Sequence, residues 1–323
     1  MITVVALGGN ALLRRDEPPE ATIQESHVRE AAALLSEVIA SADEGARFVI
    51  THGNGPQVGL LALQSLQDER LAPYPLDVLD AESEGMIGYL LERELRNHLP
   101  GREVATLLTQ VEVEESDPAF QAPSKPIGRV YTADEAARLR EQYGWRLAPD
   151  GDGLRRVVAS PRPRRILGLA NVRSLLDAEA VVICAGGGGI PVVYTVQGDD
   201  DVPTLRGIEA VIDKDLVSAR LAVALEADRL WLLTDVDAVY ECFAQPDARA
   251  YKCLETRQLE TLDFAPGSMG PKVEAAGAFA LETGKEAVIG RLEEVALLAA
   301  GSVGTRVVRS NDSPRGRSEP SAG

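Results

Sequence analysis

Cysteine, histidine and aromatic residues are scarce in this chain, and each scarcity removes a class of function. The three cysteines, Cys184, Cys242 and Cys253, form no CxxC pair and leave one unmatched in any disulfide scheme. A disulfide scaffold is therefore excluded, and a reducing cytoplasm is the expected compartment. The three histidines do not stand at metal-ligand spacing, which argues against a structural zinc site. No apolar run approaches the ~20 residues that cross a bilayer. Ile2 to Leu7 follows no basic stretch or cleavage site, so no secretory signal is expected. Basic charge is short too: 33 Lys and Arg stand against 50 Asp and Glu, a formal net charge of −17. Nucleic acid and anionic membranes are not expected partners, because counterion release needs a basic face. A phosphate ligand would need a local cationic cluster working against the overall field.

Several phosphate-binding signatures are missing as well. There is no GxxxxGK[ST], no His-Arg-Asp loop and no Asp-Phe-Gly. Gly53-Asn54-Gly55 is followed by Gly59, one residue too far for a dinucleotide GxGxxG.

What remains is an alternation of strands and helices. Buried strands are expected at residues 2–7, 48–51, 104–108, 181–185, 230–234 and 287–289, with a closing segment near 304–308. Helical spacing begins at about Thr22 or Ser26, either of which would serve as a cap, and recurs after Pro56, at 82–98, at 214–226 and after Pro271. The pattern is that of an α/β protein with a mostly parallel sheet covered on both faces. Three strands run into glycine: Gly8-Gly9-Asn10-Ala11, Gly53-Asn54-Gly55 and Gly186 to Gly189. Ligands of such sheets bind beyond the carboxyl ends of the strands, so the three loops are expected to border one crevice. Residues 116–165 are richer in proline and read as an inserted lobe able to act as a lid. Residues 311–323, rich in Ser, Pro, Arg and Gly, read as a disordered tail.

Three lysines sit in unusual settings. Lys272 follows Pro271 after the loop Ala265 to Gly270, where Pro preorganises a helix start whose N–H groups suit an anion. Lys214 lies between Asp213 and Asp215 at another helix start, where a cation opposes the helix dipole unless an anion meets it. Lys125 opens Lys125-Pro126-Ile127-Gly128 at the edge of the lobe. Lysines, bare backbone amides and Mg²⁺ would together satisfy a phosphoryl transfer, which asks mainly for positioning and charge neutralisation. Thr234-Asp235-Val236-Asp237 follows a strand and reads equally as a capped turn or as the rim of a nucleoside pocket.

Taken in order, these motifs resemble those of the carbamate kinases, a branch of the amino acid kinase family. The likeness runs from Gly8-Gly9-Asn10-Ala11 to about Arg306. It includes His52 to Gly59, Thr109-Gln110, Lys125 to Gly128, Val158 to Pro161, Gly186 to Val192, Glu209 to Asp215, Leu233 to Asp237, and Pro266 to Met269 with Pro271 to Ala276. It implies a three-layer αβα sandwich spanning residues 1–310, a protruding subdomain at about 116–165, and a homodimer. It also implies reversible transfer between MgATP and carbamate, giving MgADP and carbamoyl phosphate. By the same resemblance Lys214 and Lys272 contact nucleotide phosphates and Lys125 reaches the transferred group. Asp213 and Asp215 orient Lys214 or a Mg²⁺-bound water. Gly8, Gly9, Asn10, Ala11, Gly53, Asn54, Gly55, Gly187, Gly188 and Gly189 surround the acceptor and the moving phosphoryl group. Thr234, Asp235, Val236, Tyr240, Gly267, Ser268 and Met269 are candidates for the nucleoside pocket. No side chain is expected to ligate metal directly, Mg²⁺ being carried by the nucleotide. Many family members have Lys two positions before the first Gly-Gly pair, where this chain has Ala6. A same-fold kinase acting on another small acid or phosphate, or a non-catalytic nucleotide sensor, are the alternatives.

Overall fold

Apolar side chains alternate between two faces along the central strands, and that alternation builds two cores on either side of one sheet. Val4 and Ala6 of β1 (Ile2–Leu7) point into one core, while Val5 and Leu7 point into the other. The same division holds for Val49 against Ile50 in β2 (Arg47–His52). It recurs for Val182 against Ile183 in β4 (Val181–Cys184) and for Leu232 against Leu233 in β5 (Arg229–Thr234). With β3 (Val104–Leu107), β6 (Cys253–Glu255), β7 (Ala287–Arg291) and β8 (Thr305–Val308), these strands form an eight-stranded sheet in the order β6-β8-β7-β5-β1-β2-β4-β3. The pairs are parallel except β7 with β8.

The computed structural model describes residues 1–13, 17–18, 20–67, 70, 72–196, 202–243, 245, 247–262, 264 and 269–310, with backbone alone at Asn10 and Val196. Gly267, Ser268 and the expected tail at 311–323 lie outside the described residues. Helices α1 (Ala21–Ser41) and α3 (Leu76–His98) cover one face through Val28, Leu35, Ile87 and Leu91. Helix α2 (Gly55–Gln64) follows β2. Helix α4 (Ala133–Tyr143) belongs to the lobe, and α5 (Leu169–Asp177) and α6 (Lys214–Ala224) cover the other face with Leu176 and Leu221. The short α7 (Thr256–Leu259) precedes α8 (Gly270–Thr283), whose fully buried Phe279 joins that second core; α9 (Val295–Ala299) returns to the first. The result is a sheet between two helical layers, as the αβα expectation required. Among the described residues no helix is long and apolar enough to cross a membrane.

Two helix starts differ from the sequence reading. Helix α1 begins at Ala21, and Glu20, not Thr22 or Ser26, occupies the cap position. The Gln24 N–H bonds the Glu20 carbonyl at 3.0 Å, so the first turn closes ahead of both expected caps. Helix α3 begins at Leu76 instead of about 82. The Glu209 carboxylate accepts the Leu76 N–H at 2.9 Å, a cap supplied from 133 residues away that no local window contains.

Residues 125–158 carry their own three-stranded antiparallel sheet, Lys125–Tyr131, Gly153–Val158 and Leu147–Asp150. Helix α4 starts on a capping box between Thr132 and Glu135, and Arg156 stacks 4.1 Å from the Trp145 ring centroid. The segments entering and leaving this lobe, Gln110–Val113 and Pro163–Ile166, pair with each other in a second sheet beside the main one.

Candidate active site

The strands β1, β2 and β4 are adjacent in the sheet, so the three glycine-rich loops at their carboxyl ends open on one side. There Gly9, Gly53, Asn54, Gly55 and Gly187 line a cavity of about 790 Å³ together with Lys125, Asp213, Lys214, Asp215 and Lys272. The N-termini of three helices meet it: Gly55 and Pro56 of α2, Lys214 to Leu216 of α6, and Pro271 and Lys272 of α8. Each presents the positive end of a helix dipole, and α2 and α8 have no side-chain cap on their first N–H groups, an arrangement suited to an anion. The lobe closes the opposite wall with Lys125 to Val130.

The lysines are tied into one network. Asp215 takes Lys214 Nζ on Oδ1 at 2.6 Å and Lys272 Nζ on Oδ2 at 3.0 Å. Asp213 accepts Lys125 Nζ on Oδ2 at 2.5 Å, while its Oδ1 caps α6 by accepting the Asp215 N–H at 2.9 Å. Thus the cation that opposed the α6 dipole in the sequence meets a carboxylate one residue on. Burial opposes ionisation of Asp215, yet Lys214 and Lys272 together hold its carboxyl well below the usual range. Burial also works against the charge on Lys272, but Asp215 outweighs it and raises that ammonium's pKa. For Lys214 burial wins, with repulsion from Lys272 added, and its pKa is lowered despite Asp215. Three ammonium groups facing two carboxylates leave the cluster one charge positive, a local exception to the acidic chain.

Behind this wall lies a buried polar layer that the sequence reading missed. Asn54 donates its side-chain N–H groups to Asp80 Oδ1 at 3.1 Å and Ser83 Oγ at 2.8 Å, both on α3. The amide presses on Gly187, whose φ is +69° and where an added side-chain carbon would lie 2.1 Å from Asn54 Nδ2. Only glycine fits that conformation and that contact. Glu84 accepts the Gly186 N–H at 2.8 Å and the Thr109 N–H at 3.1 Å, fixing the third loop from below. Its signal in the sequence is a run of polar residues, Asp80, Ser83 and Glu84, at helical spacing among the apolar Leu79, Ile87 and Leu91.

Burial pushes Glu84 up to about 8, and the two N–H donors pull the other way. The unfolded chain releases this proton first, from its ordinary value of 4.5 upward, so the folded state loses relative stability as pH rises from 4.5 to about 8. His52 acts in the opposite sense. Burial, with Lys214 adding to it against the Gly53 carbonyl, lowers its pKa from 6.5 to about 4, so stability is lost as pH falls through that interval. Glu84→Gln should therefore flatten the decline between pH 4.5 and about 8 by up to about 1.4 kcal/mol per pH unit in urea unfolding series. An unchanged slope would show that Glu84 does not carry it.

Other candidates stand elsewhere. Gly8, Ala11, Gly188 and Gly189 are not on the cavity wall; Gly188 faces the Ile212 carbonyl and Gly189 packs toward Val111. The backbone of Asn10 lies in a short turn, Gly9–Ala11. Thr234, Asp235, Val236, Tyr240 and Met269 are outside the wall as well. Thr234 Oγ1 donates to Asp235 Oδ1 at 3.0 Å, and the Tyr240 hydroxyl donates to Asp237 at 3.0 Å. The charge of Asp235 is nonetheless felt by Lys272, and Met269 caps α8.

The profile of the amino acid kinase family matches residues 1–291. A carbamate kinase of Haemophilus influenzae is 50% identical over 313 residues, covering 97% of this chain and 98% of the relative. Among solved structures, a carbamate kinase from Giardia lamblia bound to citric acid superposes with a TM-score of 0.87 at 36% identity, over 96% of this chain and 98% of the other. The same enzyme bound to AMP-PNP gives 0.83 at 36% identity, again over 96% and 98%.

Proposed function

The chain belongs to the amino acid kinase family, within its carbamate kinase branch, and on that premise we propose that it transfers a phosphoryl group reversibly between ATP and carbamate, giving ADP and carbamoyl phosphate. The observation that carries the reading is the cavity in which Lys125, Lys214 and Lys272 meet three helix N-termini. Lys214 and Lys272, preset by Asp215, neutralise the nucleotide phosphates. Lys125 leaves Asp213 for the oxygens of the group in transfer, and the amides of the Gly9, Gly53 and Gly187 loops bind the acceptor side. These groups stabilise charge that spreads over the phosphoryl oxygens as the bond to the leaving oxygen lengthens.

Among its described residues the wall offers no free base, and the reaction needs none. Each of its described carboxylates is engaged: Glu17 by His27, Asp150 by Arg155, Asp213 by Lys125, Asp215 by two lysines and Glu274 by Arg162. Carbamate is already an anion and attacks phosphorus without losing a proton. The lobe, closing over the cavity, keeps water from an unstable acyl phosphate.

The same engagement bears on Mg²⁺. Among the described residues no group of three acidic, His or Cys side chains could hold a metal, and both oxygens of Asp215 already face ammonium groups. The ion therefore fits as a partner of the nucleotide, held chiefly by phosphate oxygens, where it neutralises their charge. Thr234, Asp235, Val236, Tyr240 and Met269, at the end of β5 and the start of α8, suit a nucleoside next to Lys272. A homodimer suits the far edge of the sheet, where Tyr89 of α3, Leu108 after β3 and Tyr194 of the strand Ile190–Val196 are exposed and α3 packs against both β3 and that strand. The cytoplasm suits three free cysteines. ATP formation from carbamoyl phosphate and MgADP tests the proposal, and omission of Mg²⁺ should abolish it.

A further inference from the structure

The lobe that carries Lys125 lies backbone to backbone against α2 where two glycines meet. Gly59, one turn into α2, faces Gly128, three residues after Lys125 on the strand Lys125–Tyr131. A side-chain carbon on Gly59 would lie 2.0 Å from Gly128 Cα and 2.3 Å from its nitrogen. Unstrained carbon pairs stand about 3.5–4.0 Å apart, so the two backbones could admit that carbon only by separating about 1.5 Å. Gly128 has φ of +70°, and the strand's register shifts between Ile127 and Val130, which turns its backbone onto α2. Arg155 fixes this turn from within the lobe, its Nε donating to the Gly128 carbonyl at 2.7 Å and its Nη1 to Asp150 at 3.2 Å. Around the contact Ile127 and Val158 of the lobe pack with Val58 and Ala62 of α2.

Helix α2 therefore holds two things at once. Its N-terminus presents Asn54 and Gly55 to the cavity, and its next turn seats the strand from which Lys125 projects. We propose that Gly59 is a positioning residue: its bare Cα lets the Gly128 backbone lie against α2 and so sets the reach of Lys125 to the group in transfer. This rests on the role given to Lys125 above. A lysine displaced by an ångström or more at a reacting group loses much of its effect on rate, while a nucleotide held by Lys214 and Lys272 is left in place.

The test is a double-mutant cycle on ATP formation from carbamoyl phosphate and MgADP, with ADP affinity read by calorimetry. Gly59→Ala should lower kcat about a hundredfold and leave the Kd for ADP within about twofold. Added to Lys125→Ala, the same substitution should cost less than about twofold more, since the residue through which it acts is gone. A loss that multiplies in full in the Lys125→Ala background would overturn the inference alone, as would a Gly59→Ala protein with ordinary kcat. A Lys125→Ala protein with undiminished kcat would remove the role of Lys125 and the inference with it. If Gly59→Ala does not fold, Gly128→Ala carries the same cycle. Its added carbon would sit in ordinary contact, 3.4 Å from Gly59 Cα, but a side chain is strained at its φ of +70° and would shift the turn, so a smaller loss, about tenfold, is expected and should again vanish without Lys125.

Discussion

Asp215→Asn is expected to lower the stability of the nucleotide-free protein by about 3–5 kcal/mol, the usual cost of stripping one partner from a buried ion pair. Asp215 holds two ammonium groups, one on each oxygen, with Lys214 buried beside it and Lys272 partly buried. Asparagine keeps the shape but offers a single acceptor oxygen and turns N–H groups toward the second lysine. Lys214, whose charge burial already disfavours, loses the carboxylate that resists that effect. Because the Asp215 carboxyl is held below its ordinary 3.8, its contribution is fully present at neutral pH and fades only in acid, as pH falls toward its folded value. Urea unfolding at pH 7 should show the deficit, and saturating ADP should restore part of it by supplying negative charge to the lysines. Catalysis should fall at least a hundredfold, since both phosphate-facing cations lose their preset positions. A stability loss under about 1 kcal/mol would mean that the lysines do not depend on Asp215.

Lys125→Ala should act on rate with little effect on nucleotide binding. Its side chain reaches the cavity from the lobe, while Lys214 and Lys272 come from α6 and α8 on the main body. Asp213, released from Lys125, still caps α6 through the Asp215 N–H, so the helix start survives the change. Removing a single preorganised donor from a charge-developing transition state typically costs about 10²–10³ in kcat. We expect that loss, with the Kd for ADP within about threefold of the parent. An equal loss in ADP affinity would place Lys125 on the nucleotide instead.

The features legible in the sequence are those whose chemistry is local. The glycine loops after β1, β2 and β4 and the three lysines stand out because bare backbone and cations at helix starts leave short sequence marks. Their convergence on one cavity follows from the order of the strands. Contacts between distant segments leave no such mark. The Lys125–Asp213 pair joins residues 88 positions apart, and the Leu76 cap on Glu209 joins residues 133 apart. Gly59 looked like a failed dinucleotide motif, yet its lack of a side chain answers to Gly128 in another part of the chain. Asp80 and Glu84 do not stand out in the sequence because polar residues on a helix are usually solvated, and here they are buried under the loops.

The measurement that bears most directly on the proposed reaction is ATP formation by the purified protein from carbamoyl phosphate and MgADP, followed with a coupled assay. Robust turnover is expected, abolished without Mg²⁺ and absent when acetyl phosphate replaces carbamoyl phosphate. Folded protein that binds ADP yet forms no ATP from carbamoyl phosphate would contradict the account and point to another small acid as its acceptor.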